Sequence, residues 1–289
     1  MLLRLEFAGP YDWALALRMI GAHAVPGGEV TDPVAGTHTR LLPGRRGPLA
    51  VTVAAQADAL TVQVDGGDTA VADADLGDLT RRIRHWLDLD LDPVRLRSRF
   101  AADPTLGPLV RARPGLRRVR YPAAFEAVIS TVLGQQVSLA AARTFAGRLA
   151  NAYGTPGTHG LTSFPTPERL LTVDLAALRA AVGITGSRAR TVLAVAELFA
   201  ESGDWPVPVP ASEWPDREAS LLALPGIGPW TGAYLRMRLF GDPDAVPVGD
   251  LVLRRALGVS SDRQVPAATQ RWRPERTYAV FQLWASTAW

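Results

Sequence analysis

The sequence predicts an α+β fold that is mainly α, with one small mixed α/β unit at its N-terminus. Three observations carry this. Short β-branched runs bounded by Gly, Pro and Asp are confined to the stretch before Asp65. From Pro93 onward strand signals vanish and apolar residues recur at helical spacing. Gly134, Gly154, Gly183 and Gly203 then punctuate that helical part into separate helices.

In chain order, residues 11–20 read as a short helix ended by Gly21. Residues 37–42, 49–55 and 59–64 are strand-like, the last two pairing as a hairpin around residues 56–58. Residues 74–87 follow as an amphipathic helix. No catalytic constellation falls inside this unit. Helices are expected over 125–133, 139–153, 167–172, 175–182, 188–201 and 216–224, with the proline-rich 205–210 as a loop. An apolar helix over 274–288, carrying Tyr278, Phe281 and Trp284, closes the chain. There is no internal repeat and no low-complexity segment.

The most informative stretch is 221–250, LLALPGIGPWTGAYLRMRLFGDPDAVPVGD. Pro225 forbids continuation of the helix before it. Gly226 and Gly228 flank Ile227 in a tight turn where both can take positive φ. Pro229 suits the first position of a new helix, where its missing N–H costs nothing, and Gly241 with Asp242-Pro243 stops that helix. The result is two helices joined by a glycine-cornered hairpin, with bare N–H groups aimed at the turn. Such an end attracts anions, and residues without side chains let a backbone phosphate come close. The plainer reading is an ordinary turn between two helices. Asp250 begins a further short helix, 251–257, ended by Gly258. It is either an N-cap or a carboxylate delivered to a site.

Composition closes several chemistries. The chain has no cysteine, which excludes disulfides, iron–sulfur clusters, thiolate zinc sites and a cysteine alkyl acceptor. His23, His38, His85 and His159 are scattered without metal-ligand spacing. All 31 basic residues are arginine, so no P-loop, kinase or Schiff-base lysine exists. Net charge is only +3, yet residues 93–120 hold eight arginines against the single acid Asp103. That imbalance suggests a polyanion partner or, alternatively, a solvated face. No apolar run reaches membrane length and Arg4 and Glu6 interrupt any signal-peptide core, so a soluble, cytoplasmic protein is expected.

LPGIGPWTGAY followed by Asp250 resembles the helix-hairpin-helix, Gly/Pro-rich loop and aspartate of the base-excision DNA glycosylases. Pro10-Tyr11-Asp12-Trp13, Gly134-Gln135 and Trp284, in this order, extend the likeness toward the alkylbase branch, the 3-methyladenine DNA glycosylase II type. The resemblance implies a mixed α/β domain over 1–92 and a helical domain over 120–243 with the helix-hairpin-helix. A second helical domain would combine 93–119 with 244–289. It implies Asp250 as the catalytic carboxylate. Gly226, Gly228 and Thr231 would contact DNA phosphate, and Gln136 would stand at the position that fills the gap left by a flipped nucleotide. A base pocket of Trp230, Tyr234 and Trp284 is implied, and no required cofactor. A structural Na or K ion on the carbonyls of Leu222, Leu224 and Ile227 follows from resemblance alone. The partner would be double-stranded DNA with damaged bases, met by a monomer and no membrane. Two departures stand out. Gln136 replaces the leucine of close relatives, and pocket positions held by aromatics in the family fall on Met19 and Leu251.

Breaking a sugar–base bond develops positive charge on the sugar, which a fixed carboxylate stabilises. A cationic base such as 3-methyladenine leaves without prior protonation, so one carboxylate suffices. Electron-rich aromatic faces attract such a base, although Trp230, Tyr234 and Trp284 could equally be core residues. The competing readings are a non-catalytic helix-hairpin-helix DNA-binding module, which needs only the hairpin, and a glycosylase for a neutral damaged base. A glycosylase/lyase of the oxidised-base type would carry a lysine where Trp230 stands.

Overall fold

The computed structural model describes residues 1–66 and 71–287. Five antiparallel strands form one sheet in the order β1-β5-β4-β3-β2: β1 Leu2–Glu6, β2 Glu29–Asp32, β3 Thr37–Gly44, β4 Gly47–Ala55 and β5 Ala59–Asp65. Alternation sets its faces. Leu49, Val51 and Val53 of β4 point into the main core, while Ala50 turns the other way toward Leu41 and Leu161. The β3–β4 hairpin closes with Gly44 opposite Gly47, and β4–β5 turns at the expected place, with Gln56 N–H donating to the Ala59 carbonyl at 2.8 Å. β1 and β2 are too short and too exposed to announce themselves in the sequence.

Helix α1 (Trp13–His23) starts at the Asp12 cap and runs through Gly21 rather than stopping there. Gly21 is instead a point of close approach: a Cβ there would sit 3.3 Å from Thr31 Oγ1 on β2. Helix α2 (Asp73–Trp86) covers the sheet, and α3 (Pro93–Phe100) and α4 (Leu106–Ala112) follow. The middle of the chain is helical: α5 (Ala124–Gly134), α6 (Leu139–Tyr153), α7 (Pro167–Leu171), α8 (Leu175–Val182), α9 (Gly186–Ser202) and α10 (Trp214–Leu222). Helix α11 (Pro229–Leu235) runs on as a π-helical turn over Arg236–Phe240. Last come α12 (Leu251–Leu257), α13 (Val265–Thr269) and α14 (Arg276–Thr287); Ala288, the expected end of this helix, lies outside the described residues.

Two hydrophobic cores result. One joins the sheet and α1–α4 to α12, Trp272 and α14; the other is built from α5–α10 and the hairpin. The π-helical turn straddles them, with Met237 in the first core and Leu239 and Phe240 in the second. Extra residues in a π turn rotate side chains toward directions a regular helix cannot serve. Among the described residues no helix is long and apolar enough to cross a membrane.

The far end of the arginine-rich stretch corrects the sequence reading, while Arg95, Arg97, Arg99 and Arg111 remain exposed. Arg117, Arg118 and Arg120 are buried, not presented to a polyanion. Arg117 Nη1 donates to the carbonyls of Asp88, Leu89 and Leu91 at 3.0–3.3 Å. Arg118 and Arg120 grip the Asp88 carboxylate at 2.7 and 2.9 Å. Burial alone would raise the Asp88 carboxyl; Arg118 and then Arg120 outweigh it and hold it well below the usual carboxylate range. Asp88→Asn keeps the shape and tolerates the left-handed backbone at φ 53, but leaves two buried guanidinium groups without their counter-ion. It should cost about 3–5 kcal/mol, read as a lower urea midpoint. A loss too small to measure would show that the cluster is hydrated.

Candidate active site

The hairpin forms because α10 must end before Pro225. Gly226 takes φ +83, and a Cβ there would lie 2.5 Å from Thr191 Oγ1, whose hydroxyl donates to the Pro225 carbonyl at 2.8 Å. Gly228 does not share this conformation: its φ is −107, so only one of the two glycines is left-handed. Its contribution is space, since nothing lies within 4 Å of a Cβ at that position. Ile227 is buried in the second core and pins the turn. Leu222 is exposed at the end of α10 and Thr231 is buried on α11. The Leu224 carbonyl accepts from Ile227 N–H at 3.2 Å, and among the described residues no hydrogen bond occupies the carbonyls of Leu222 or Ile227.

Gln135, at the end of α5, hooks onto this turn. Its Nε2 donates to the Gly226 carbonyl at 2.9 Å and to Thr231 Oγ1 at 3.0 Å, while its own carbonyl accepts from Arg188 Nη2 at 2.5 Å. Gln136 follows with a left-handed backbone, φ 55, and an exposed side chain.

Asp250 caps α12, and its Oδ1 accepts from Leu253 N–H at 2.7 Å and from Trp284 Nε1–H at 3.1 Å. Both bonds fall on Oδ1; Oδ2 accepts none among the described residues. The N-cap reading and the site reading therefore hold together. Trp230 and Tyr234 stack with ring centres 5.2 Å apart, and Tyr234 lies 6.1 Å from Trp284. Asp250, Trp230, Tyr234, Trp284 and Met19 all line one cavity of about 380 Å³ at the seam between the cores. Leu251 does not: it is 56% exposed, and Val252 faces the cavity in its place. Leu253 points into the first core and fixes the rotation of this short helix. Trp284 is both a wall and a core residue, edge-on to Phe281 at 5.5 Å.

His23, Tyr121 and Arg238 also line the cavity, as do residues of α5 and α6 such as Ser130 and Arg143, and none was assigned to the site in the sequence reading. Burial, then Arg238, pushes His23 down to about 3. Its Nδ1 faces the Met19 carbonyl at 2.8 Å, which can only accept, so the neutral ring carries its proton there. Burial, then Tyr234, pushes the Tyr121 phenol above its ordinary range, keeping it protonated.

Residues 2–126 match the family model of the AlkA N-terminal domain, and residues 129–271 match that of the HhH-GPD superfamily base excision DNA repair protein. The chain belongs to that superfamily. Its sequence is 37% identical over 294 residues to the probable bifunctional transcriptional activator/DNA repair enzyme AlkA of Mycobacterium tuberculosis, covering 98% of this chain and 56% of that protein. The chain thus spans about half the length of this relative. It is 29% identical over 287 residues to DNA-3-methyladenine glycosylase 2 of Escherichia coli, covering 99% and 97% of the two chains. In fold it is similar to a 3-methyladenine DNA glycosylase from Archaeoglobus fulgidus, with a TM-score of 0.81 at 21% identity over 98% of each chain.

The resemblance named Gln135 only as part of a motif, and its side chain holds the hairpin turn. Gln135→Ala removes two hydrogen bonds that hold the turn and should raise amide hydrogen exchange at Ile227 and Gly228 by about tenfold or more. Unchanged exchange there would mean the hairpin holds itself.

Proposed function

We propose that the chain is a monofunctional DNA glycosylase hydrolysing the N-glycosidic bond of alkylated, mainly cationic purines such as 3-methyladenine. The observation that carries this reading is Asp250 Oδ2, unpaired beside a stacked aromatic wall in a cavity with room for one purine. The same reading takes 1–92 as an α/β domain, 120–243 as one helical domain, and 93–119 with 244–289 as the other. The substrate is double-stranded DNA, acted on by a monomer.

A base inside the duplex must be turned out before its sugar bond can be reached. The open face of Gly228 and the start of α11 receive a backbone phosphate, with Gly226 and Thr231 shaping the turn. Gln136, exposed and presented by the anchored Gln135, fills the gap in the stack. A monovalent cation on the carbonyls of Leu222, Leu224 and Ile227 would brace the turn, since neutral carbonyl oxygens can replace its hydration shell. Trp230, Tyr234 and Trp284 hold the base by stacking. As the sugar–base bond lengthens, positive charge grows on the sugar and Asp250 stabilises it while orienting water. No proton need reach a cationic leaving base, and His23 is held neutral. No Schiff base can form on a lysine, because the chain has none and Trp230 occupies the lyase position, so strand cleavage is not part of the reaction. A pure DNA-binding module would need the hairpin alone and leaves the cavity without a task.

Asp250→Asn is the decisive variant. Asparagine caps a helix as well as aspartate does, so the start of α12 is preserved and only the charge is lost. Base release from alkylated duplex DNA should fall by roughly 3–4 kcal/mol of barrier, a 10²–10³-fold loss of rate, with duplex binding retained. Near-normal turnover would reduce Asp250 to a cap and remove the assignment.

A further inference from the structure

Arg238 lies in the partition between the base cavity and a small polar chamber behind it that holds Glu29, Arg40 and Glu126. It is 3% exposed. Tyr121, Tyr234 and Phe281 surround its guanidinium at 5.0, 5.5 and 5.8 Å, and its Nη1 donates to the Tyr234 hydroxyl at 3.0 Å. Its Nε is buried with no acceptor. No carboxylate pairs with it among the described residues. The acids of the chamber are spoken for, since Arg40 reaches Glu126 at 2.5 Å and Glu29 at 3.4 Å, and His38 meets Glu29 at 3.3 Å. A buried cation with an unmet donor is costly and gains most from an acceptor brought to it. Asp250, by contrast, lines the base cavity alone and not the chamber. Among the described residues the cavity therefore has Asp250 as its one carboxylate and Arg238 as the cation shared with the chamber; Arg143, a second cation on its lining, donates from Nε to the Ala24 carbonyl at 3.1 Å. After burial, the Arg238 charge is the next influence keeping His23 unprotonated.

We infer that Arg238 is a specificity-determining residue that favours bases presenting an exocyclic carbonyl to the inner wall over bases presenting an amino group there. The inference rests on the glycosylase reading and refines its substrate class. The aromatic faces attract positive charge on the base, and Arg238 opposes it. Carbonyl-bearing purines, N7-methylguanine and the neutral hypoxanthine, gain an acceptor contact that 3-methyladenine cannot offer. Selection by a polar group works because the wrong base leaves a buried donor unpaired.

The test measures binding of free hypoxanthine and free 3-methyladenine by quenching of Trp230 and Trp284 fluorescence, which needs no catalysis, alongside excision of both lesions from duplex DNA. In Arg238→Met, hypoxanthine binding should weaken roughly ten- to hundredfold, the span of one charge-assisted hydrogen bond, while 3-methyladenine binding holds or improves. Excision rates, each divided by the uncatalysed rate for that lesion, should shift the same way. Arg238→Lys should restore most of the preference, and it serves as the reading if the methionine variant does not fold. Tyr234→Phe removes only the hydroxyl contact and should leave the preference in place. Equal losses for both bases in Arg238→Met, or a Tyr234→Phe variant that reproduces its effect, would overturn the inference and make Arg238 a prop for Tyr234. Absent base release by the wild-type chain would count against the glycosylase reading, while free-base binding would still decide the role of Arg238.

Discussion

Two hydrogen bonds to one oxygen, from Leu253 N–H and Trp284 Nε1–H to Asp250 Oδ1, tie the start of α12 to the C-terminal helix α14. They fix one oxygen of the carboxylate that lines the cavity and leave the other without a partner among the described residues. Everything else in the site is arranged relative to that point. Asp250 and Trp284 belong to elements of the first core, whereas the hairpin that brings Trp230 is anchored in the second. The cavity exists only where the two cores meet, so its geometry depends on how rigidly they are joined. The π-helical turn serves that seam, directing Met237 into the first core and Leu239 and Phe240 into the second.

The seam is also where buried charge accumulates. Arg40 on β3 pairs with Glu126 on α5, joining residues 86 apart in sequence and one core to the other. Burial, partly offset by Arg40, raises the Glu126 carboxyl above its ordinary value, while Arg40 and His38 outweigh burial at Glu29 and hold it low. Such pairs contribute little net stability compared with apolar packing, but breaking one leaves a charge stranded. They define which relative placement of the two cores is allowed. The Asp88 cluster ties the end of α2 to the segment 117–120.

Much of this was legible in the sequence because it rests on local rules. Pro225, Gly226 and Pro229 specify the hairpin, and helix-period apolar spacing marks α5, α6, α8 and α9. Short edge strands such as β1 and β2 were lost because four or five half-exposed residues carry no usable alternation. The arginines at 117, 118 and 120 misled because sequence density of charge does not reveal burial, which here depends on Asp88 and on carbonyls some 30 residues away. Gln135 was visible only as part of a motif, and its grip on the turn was hidden because a side-chain amide bonding to backbone leaves no spacing signature. Arg238 did leave one. Trp230, Tyr234 and Arg238 are four apart, a ladder on one helix face whose third rung is basic. Leu251 was assigned to the pocket by position, and the packing of Leu253 turned it outward.

The central claim is that Asp250 recognises positive charge developing on the sugar. Duplex DNA carrying a pyrrolidine in place of the damaged nucleoside mimics that charge, and a tetrahydrofuran in the same place does not. The wild-type chain should bind the cationic analogue more tightly by roughly a hundredfold or more, as expected of a transition-state mimic. In Asp250→Asn that preference should collapse to a few-fold at most, with tetrahydrofuran binding unchanged. An undiminished preference in the asparagine variant would contradict the assignment of Asp250.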